Sequence, residues 1–301
     1  MPVTSEHATN VARRFAQLIE PITGQVYFSP ECHEGYVTLG FGPSSGFAGK
    51  TALPNGPAYF TSRGSVMGQV PGEVVAAAFA VFNPAAVVAS VTFGWTVTDA
   101  PTICAARDAG AIAQLRRVLG DAPAGLARVT ELLVRMTDVL RPEGRPLYAG
   151  LRSLGFPDDP IGRMWRAGDL LREHRGDSHT AAWIGQGLDA VETCLLADLW
   201  FGVPMRSYSR TRAWSNTDFD AAEERLRTRG LLDGEGLSAD GRALRERIEE
   251  STDRQMAAAV TALGDDHDEL FALIAPWGAA LREHGAYLGG GPGDLANASR
   301  R

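Results

Sequence analysis

The chain contains a single lysine, Lys50, in 301 residues, so arginine supplies almost all of its positive charge. This bias is typical of a high-GC genome and makes an arginine cluster weaker evidence for a site than usual. The three cysteines, Cys32, Cys104 and Cys194, lie far apart and form no Cys-x-x-Cys pair. Their spacing argues against a disulfide framework and favours a reducing cytoplasm, where thiols act mostly as small apolar residues.

Long apolar runs are also missing. No stretch approaches the roughly 18 residues of a membrane span, and the N-terminus lacks the basic-then-apolar pattern of a secretory signal. A net charge of −7 and a hydrophobic content of 45% are typical of globular proteins. We therefore expect a cytoplasmic, soluble protein without a membrane partner, long enough for two packed units.

Several common catalytic motifs are absent. The glycines from Gly40 to Gly56 match neither a phosphate-binding loop nor a dinucleotide fingerprint, and Ser62 lacks a Gly-x-Ser-x-Gly elbow. His174 and His179 are five residues apart, which is not the i, i+4 spacing of a zinc-binding His-Glu-x-x-His helix. His33 and Glu31 could complete a metal set with them, but no spacing demands it. We expect no metal and no cofactor.

Apolar residues recur at helical spacing along most of the chain, which predicts a mostly α protein. The predicted helices cover residues 11–19, a segment from 29 onward, 71–82, 85–90, 98–119, 124–140, 145–154, 158 onward, 189–200, 215–229, 238 to beyond 256, and 268–284. We expect Pro21 to stop the first of them. Between Gly40 and Gly68 the helical period vanishes, which predicts a long irregular loop that borders the ligand site and carries Tyr59 and Arg63.

From about residue 205 the chain has the order helix, very short β-hairpin, helix, which is that of a winged helix-turn-helix. The hairpin is predicted at Leu231–Leu237, around a Gly turn. We therefore predict a helical small-molecule domain at 1–204, a winged-helix unit at 205–288 and a flexible tail at 289–301.

The segment from Arg172 to His179 places six titratable side chains in eight residues, inside a pattern that otherwise indicates a buried helix. Charges near a core are costly unless they are paired, and such clusters are enriched at functional sites. We interpret Gly176 as a helix break, with Asp177 as the cap of the next helix. The break would direct His174, Arg175 and His179 toward an anion bound at a helix N-terminus. A structural ion-pair network is the alternative.

The chain resembles a group of actinobacterial proteins of similar length that are described as helix-turn-helix proteins. The segments that carry the resemblance are Val26–Glu31, Tyr59–Arg63, Val70–Val75 with Phe82–Pro84, Leu171–His179, and Arg229–Leu232 followed by Gly241-Arg242 and Thr252-Asp253. Relatives often carry a histidine where this chain has Ile22-Thr23-Gly24, and the segment 42–56 is longer here. The resemblance implies a winged-helix part at the C-terminal side and a specialised member of the group.

Our leading hypothesis is a small-molecule enzyme or binding protein of actinobacterial specialised (natural-product) metabolism. Its chemistry would be cofactor-independent acid–base catalysis on a polar or anionic substrate, of elimination, cyclisation or hydrolysis type. His174 or His179 would be the base, and Asp177 would orient it. The predicted substrate-binding residues are Arg63, Arg172, Arg175, Tyr27, Tyr59, Ser62 and Asn83.

A ligand-responsive winged helix-turn-helix regulator is the competing hypothesis. Residues 217–229 would then be the recognition helix, but it begins with Asp218, Asp220, Glu223 and Glu224. Phosphate contacts need cations, so this acidic start argues against nucleic-acid binding. A dimer or a complex with a partner protein is left open.

Overall fold

A computed structural model describes residues 5–298, and most of this span is α-helical. The helices are α1 (Ser5–Gly24), α2 (Pro30–Thr38), α3 (Gly56–Gly64), α4 (Gly72–Phe79), α5 (Pro84–Val97), α6 (Ala100–Leu119), α7 (Leu126–Asp138), α8 (Pro146–Ser153), α9 (Pro160–Ile184), α10 (Ala190–Trp200), α11 (Asn216–Thr228), α12 (Ala239–Arg254), α13 (Ala257–Leu263), α14 (His267–Glu283) and α15 (Pro292–Ala298). Short 3-10 helices lie at Gln25–Phe28, Ser65–Met67, Tyr208–Arg212 and Gly264–Asp266.

Two small antiparallel hairpins accompany the helices. One pairs β1 (Gly46–Ala48) with β2 (Thr51–Leu53), and the other pairs β3 (Leu232–Asp233) with β4 (Gly236–Leu237). The second hairpin lies between α11 and α12, as the winged-helix pattern predicts. The prediction of a mostly α fold with a very short hairpin is confirmed.

Most helices begin where the sequence supplies a cap. The Ser29 hydroxyl accepts a hydrogen bond from the backbone N–H of Cys32 at the start of α2, and Pro30 occupies the first helical position. Asp189 and Glu192 form a capping box at the start of α10. These local signals explain why the starts of α2, α6, α9, α10, α11 and α12 match the sequence-based expectations.

The apolar side chains form two separate cores, and α9 takes part in both. The large core packs α1 through α8, the N-terminal half of α9, α13 and α14. The small core packs the end of α9 from Ala182 onward with α10, α11, the β3–β4 hairpin and α12. The winged-helix core therefore begins near residue 182 and ends near Ile248, whereas residues 256–288 belong to the large core. The boundary at residue 204 does not coincide with this division.

The expected helix break at Gly176 is wrong. Helix α9 runs unbroken through all of Pro160–Ile184. Its two apolar ends are each fixed in a different core, and Gly176 sits on its exposed side, where a glycine lowers stability without interrupting the backbone hydrogen bonds. Asp177 consequently caps no helix of its own; it lies in the middle of α9.

The expected irregular backbone around Tyr59 and Arg63 is also wrong. Residues 46–53 form the β1–β2 hairpin, and Asn55 caps α3 by accepting a hydrogen bond from the backbone N–H of Ala58. Tyr59 and Arg63 are one helical turn apart on α3, and Arg63 donates to the Tyr59 hydroxyl at 3.2 Å. Glycine and proline concealed the helix because they sit at its ends.

Other helix boundaries differ from those expected from the sequence because of tertiary packing. Helix α1 continues through Pro21 to Gly24, and the Pro21 ring packs beside Gly278 of α14. Helix α12 ends at Arg254, and α13 starts after it. Residues 292–298 of the predicted flexible tail form α15, while 299–301 lie outside the described residues. Within the described span, no helix has the length and apolarity that crossing a membrane requires.

The continuity of α9 can be tested with glycine-to-alanine substitutions. Gly176→Ala should stabilise the protein by up to about 1 kcal/mol, because alanine replaces glycine in a helix interior and the new methyl meets only Glu173 Oε2, at 3.8 Å. In contrast, Gly110→Ala should cost about 1–3 kcal/mol, because its methyl would lie 2.6 Å from the Cys32 backbone. Urea unfolding measures both. A destabilised Gly176→Ala would contradict a continuous helix.

Candidate functional site

A cavity of about 670 Å³ lies where the large and small cores meet. Its walls come from α1, α9, α10, α12 and the 3-10 helix Tyr208–Arg212, with Gly291 and Pro292 at one side. A volume of this size is within the range of small-molecule sites. Five residues of the charged segment, Arg172, Glu173, Arg175, Gly176 and His179, contribute to the wall.

Cations outnumber acids on this wall. The lining arginines are Arg13, Arg63, Arg172, Arg175, Arg212, Arg245 and Arg282, and the lining acids are Glu20, Glu173 and Glu249. Apolar surface comes from residues such as Phe15, Ile19 and Trp200. The cavity therefore suits a ligand with an anionic group and an apolar part.

Glu173 connects three helices at the floor of the cavity. Arg63 of α3 donates two hydrogen bonds to the Glu173 carboxylate, from Nε to Oε1 at 3.1 Å and from Nη2 to Oε2 at 2.8 Å. Arg172 and the Tyr27 hydroxyl also donate to Oε1, at 3.0 and 3.1 Å. Burial acts to raise the pKa of Glu173, but Arg63 and Arg172 outweigh it and lower the pKa to about 2. The carboxylate is thus a fixed negative charge, which leaves little capacity for proton transfer.

Arg172 and Arg175 are anchored to different helices. Arg172 binds Glu20 of α1 in a bidentate pair, at 2.9 and 3.2 Å. Arg175 contacts Asp253 of α12 at 2.8 Å and Glu249 at 3.4 Å. Both arginines therefore serve as structural ties between α9 and its neighbours as well as cavity wall.

Arg245 is the most deeply buried cation on the wall. The residue is 2% exposed, and its Nη2 donates to Glu249 at 2.6 Å. Its Nε and Nη1 atoms have no hydrogen-bond partner in residues 5–298. Burial lowers the pKa of Arg245, and Trp200 lies under the guanidinium, 5.5 Å from ring centroid to Cζ. Two buried nitrogens of Arg245 therefore remain unmatched beside the cavity, which is costly without a ligand.

His179 lies at the cavity wall beside Arg245 and Glu249. The Thr252 hydroxyl donates to the Ile248 carbonyl at 2.8 Å, so its oxygen accepts from His179 Nδ1 at 3.1 Å. This arrangement assigns the proton of the neutral ring to Nδ1 and leaves Nε2 as the nitrogen that can accept a proton. Burial lowers the pKa of His179 to about 4. Glu249 acts to raise it, and Arg245 and Arg175 act to lower it.

His174 and Asp177 do not line the cavity. His174 is buried, its Nδ1 lies 3.2 Å from the Met256 sulfur, and its ring packs edge-on against Tyr148. Burial lowers the pKa of His174 to about 3. Asp177 was expected to orient a histidine, but its Oδ2 accepts a hydrogen bond from the backbone N–H of Tyr148 at 3.0 Å. Asp177 thereby holds the start of α8 against α9.

The remaining predicted substrate-binding residues do not line the central cavity. Tyr27 donates to Glu173, as described above. Tyr59 and Ser62 border a separate cavity of about 10 Å³, which is too small for a metabolite. Asn83 caps α5 and donates to the Ala213 carbonyl at 3.1 Å. Of the predicted set, Arg63, Arg172, Arg175 and His179 reach the central cavity, and their roles there stay predictions.

The two residues that the sequence suggested as additional metal ligands, Glu31 and His33, form hydrogen bonds with other protein groups. Glu31 receives hydrogen bonds from Arg117 at 2.5 Å and from Ser29 at 3.0 Å. His33 uses Nε2 to contact the Tyr27 carbonyl at 3.1 Å. Across residues 5–298, no three His, Cys, Asp or Glu side chains are grouped as metal ligands would be.

Sequence reasoning missed the cavity residues of the small core, above all Arg245 and Arg212. Leu244, Arg245, Ile248 and Thr252 are all buried on one face of α12. An arginine at core spacing in a helix is unusual, because arginine is almost never fully buried without a partner. An arginine at core spacing on α12 was thus the sequence signal that could have identified Arg245.

The buried carboxyl of Asp177 gives a pH-dependent prediction. Burial raises its pKa from 3.8 to about 7, so the folded protein binds this proton more tightly than the unfolded chain does. The contribution of Asp177 to stability should therefore fall as the pH rises from about 4 to 7. Asp177→Asn keeps the acceptor for Tyr148 but cannot ionise. Its stability relative to the unsubstituted protein should increase between pH 5 and pH 8 in urea titrations. A difference independent of pH would contradict this prediction.

A helix-turn-helix family matches residues 12–288, a range that includes both cores and nearly the whole wall of the cavity. No curated protein and no solved structure gives a match. The order α10, α11, β3, β4, α12 agrees with that description, since it places two helices before a short wing. The chain therefore belongs to this helix-turn-helix family.

Proposed function

We propose that the protein is a small-molecule enzyme that takes a polar, anionic substrate into the cavity between its two cores. The reaction would be proton abstraction by a cofactor-independent base, coupled to elimination, cyclisation or hydrolysis. Its place would be in specialised (natural-product) metabolism.

The unmatched hydrogen-bond donors of buried Arg245 are the main support for the proposal. A guanidinium that is 2% exposed should be fully hydrogen-bonded, yet two of its nitrogens are unmatched within residues 5–298. On the same wall, Arg63 and Arg172 are held by bidentate carboxylates instead. Arg107 has the same two unmatched nitrogens, but it does not line the cavity. An anionic group on the substrate would accept charge-assisted hydrogen bonds from the unmatched N–H groups of Arg245.

His179 is the base that this arrangement favours over His174. Its Nε2 can accept a proton, whereas His174 lies outside the cavity in contact with Met256. In the free protein burial lowers the pKa of His179, and Arg245 and Arg175 lower it further, against the opposing effect of Glu249. A bound anion would offset those two cations and raise the pKa of His179 toward the range of an effective base. Substrate binding would thus prepare its own proton acceptor.

Arg245→Gln tests the binding half of the proposal. A defined set of organic carboxylates, phosphate esters and sulfate esters should include compounds that raise the melting temperature of the unsubstituted protein. Calorimetric titration of those compounds should show affinity reduced about tenfold or more in Arg245→Gln, because a charge-assisted hydrogen bond is lost. Arg242→Gln is the matched control, since Arg242 is exposed on the same helix. No binding at all, or equal binding by both variants, would contradict the proposal.

His179→Gln tests the catalytic half. With a compound from that set that is converted, followed by NMR, turnover should fall by about a hundredfold or more, while the melting temperature stays within a few degrees. His174→Gln is the comparison, and it should cost stability but leave turnover of the folded protein unchanged. Unchanged turnover in His179→Gln would remove this residue as the base.

A ligand-responsive DNA-binding regulator is the second candidate, and the family match with the winged order of elements is what favours it. The arginines of the recognition helix α11, however, are already paired with acids. Arg225 contacts Glu192 of α10 at 3.2 Å and also pairs with Asp189. Arg229 contacts Glu192 at 3.2 Å. Cations held in such pairs are poorly available to phosphate groups.

We therefore predict no specific binding to duplex DNA. Fluorescence anisotropy with DNA from the region upstream of the gene should show no sequence-dependent binding tighter than about 1 µM near physiological salt, the upper range of non-specific affinities. A repeat at low salt separates weak electrostatic attraction from recognition. Nanomolar, sequence-dependent binding would establish the regulator instead.

A further inference from the structure

Most of the positive charge around the cavity is matched by protein carboxylates. Five lining arginines, Arg13, Arg63, Arg172, Arg175 and Arg245, form ion pairs with five acids, Glu20, Glu173, Glu246, Glu249 and Asp253. Their charges cancel as a group. Two lining arginines stand outside this set.

Arg212 is one of them. Its guanidinium stacks against Phe82 and Tyr208, with Cζ 4.5 and 4.7 Å from the ring centroids, and it donates to the Tyr208 hydroxyl. In the part of the chain that the structure describes, no carboxylate lies within ion-pair distance of Arg212. The aromatic rings fix the plane of the guanidinium but supply no negative charge.

Arg282 is the other, and it lines the same cavity from α14. Its Nη1 donates to the Leu288 carbonyl, and its Cζ lies 5.0 Å from the centroid of the Tyr287 ring. No carboxylate of residues 5–298 is within ion-pair distance of it. The cavity thus carries an unmatched charge of two, one from each arginine.

The segment that presents Arg212 is held rigidly in place. Asp198 accepts from the Ser209 backbone N–H at 2.9 Å and from its hydroxyl at 2.6 Å. The Asn83 backbone N–H donates to the Arg212 carbonyl at 2.9 Å. Ala213, directly after Arg212, has a φ of +61°, a strained conformation for a residue with a side chain. Strain of this kind persists where the surroundings enforce it, often at ligand sites.

We propose that Arg212 and Arg282 form a subsite for a dianionic phosphate monoester group of the ligand. The inference deepens the proposed function by naming the group that the cavity recognises. A phosphate monoester carries nearly two negative charges at neutral pH, which matches the two unpaired cations, whereas a sulfate monoester carries one. Its oxygens can accept the paired N–H donors of a guanidinium in the plane that Phe82 and Tyr208 fix for Arg212.

Phenyl phosphate and phenyl sulfate are matched probes, since they share an aromatic body that suits the apolar walls. Calorimetric titration at pH 7.5 should show phenyl phosphate binding about tenfold or more tightly than phenyl sulfate. Arg212→Gln should weaken phenyl phosphate binding about tenfold or more and largely remove the preference, because a charge-assisted contact is lost. Arg210→Gln is the control: Arg210 lies on the same 3-10 helix but is exposed, and it should behave as the unsubstituted protein.

Circular dichroism checks that the variants fold. If Arg212→Gln does not fold, Arg282→Gln provides the same test of the subsite. Equal affinity for the two probes, or unchanged phenyl phosphate affinity in both variants, would overturn the dianion subsite. If organic anions still bind through Arg245 in that case, the proposed function stands without this subsite. If phenyl phosphate binding depends on Arg212 but no organic anion of the set depends on Arg245, the subsite stands and the proposed role of Arg245 is wrong.

Discussion

One unbroken helix that enters two cores determines the rest of this structure. The first half of α9 packs in the large core and its last residues pack in the small core, so its charged middle must lie where the cores meet. Each charge there needs a partner from another element, because an unpaired buried charge costs several kcal/mol. Glu20 of α1, Arg63 of α3 and Asp253 of α12 supply those partners.

The same junction gives neighbouring residues opposite properties. His174 and His179 are five residues apart on α9, yet one contacts Met256 in the large core and the other reaches the cavity wall. Burial lowers the pKa of both rings. Arg145 also lowers the pKa of His174, whereas the arginines that lower the pKa of His179, Arg175 and Arg245, lie on the cavity wall where a ligand could offset them. Position relative to the two cores, more than residue type, therefore separates a packed histidine from a candidate base.

The sequence predicted the helices well and the site only in part, for a physical reason. Caps such as Ser29 and Asp189 are local signals, so they can be read without knowing the fold. The charged segment of α9 was also visible as a local excess of titratable residues. Its partners were not, because Glu20, Arg63 and Asp253 are distant in the chain and meet α9 only after folding. Gly176 misled the prediction of a break because tertiary packing at both ends of α9 outweighs the low helix propensity of one glycine.

The winged-helix part and the large core both contribute to the cavity. Arg245 and Trp200 belong to elements of the small core, whereas Glu20 and Glu173 connect to the large core. A ligand held by Arg245 would therefore contact both cores at once, and its binding would favour the geometry in which they are packed together. In an enzyme this coupling would hold the base against the substrate. In a regulator the same coupling would set the orientation of the winged helix. Family membership is therefore compatible with an enzyme and with a regulator, and the chemistry of the cavity must decide between these two functions.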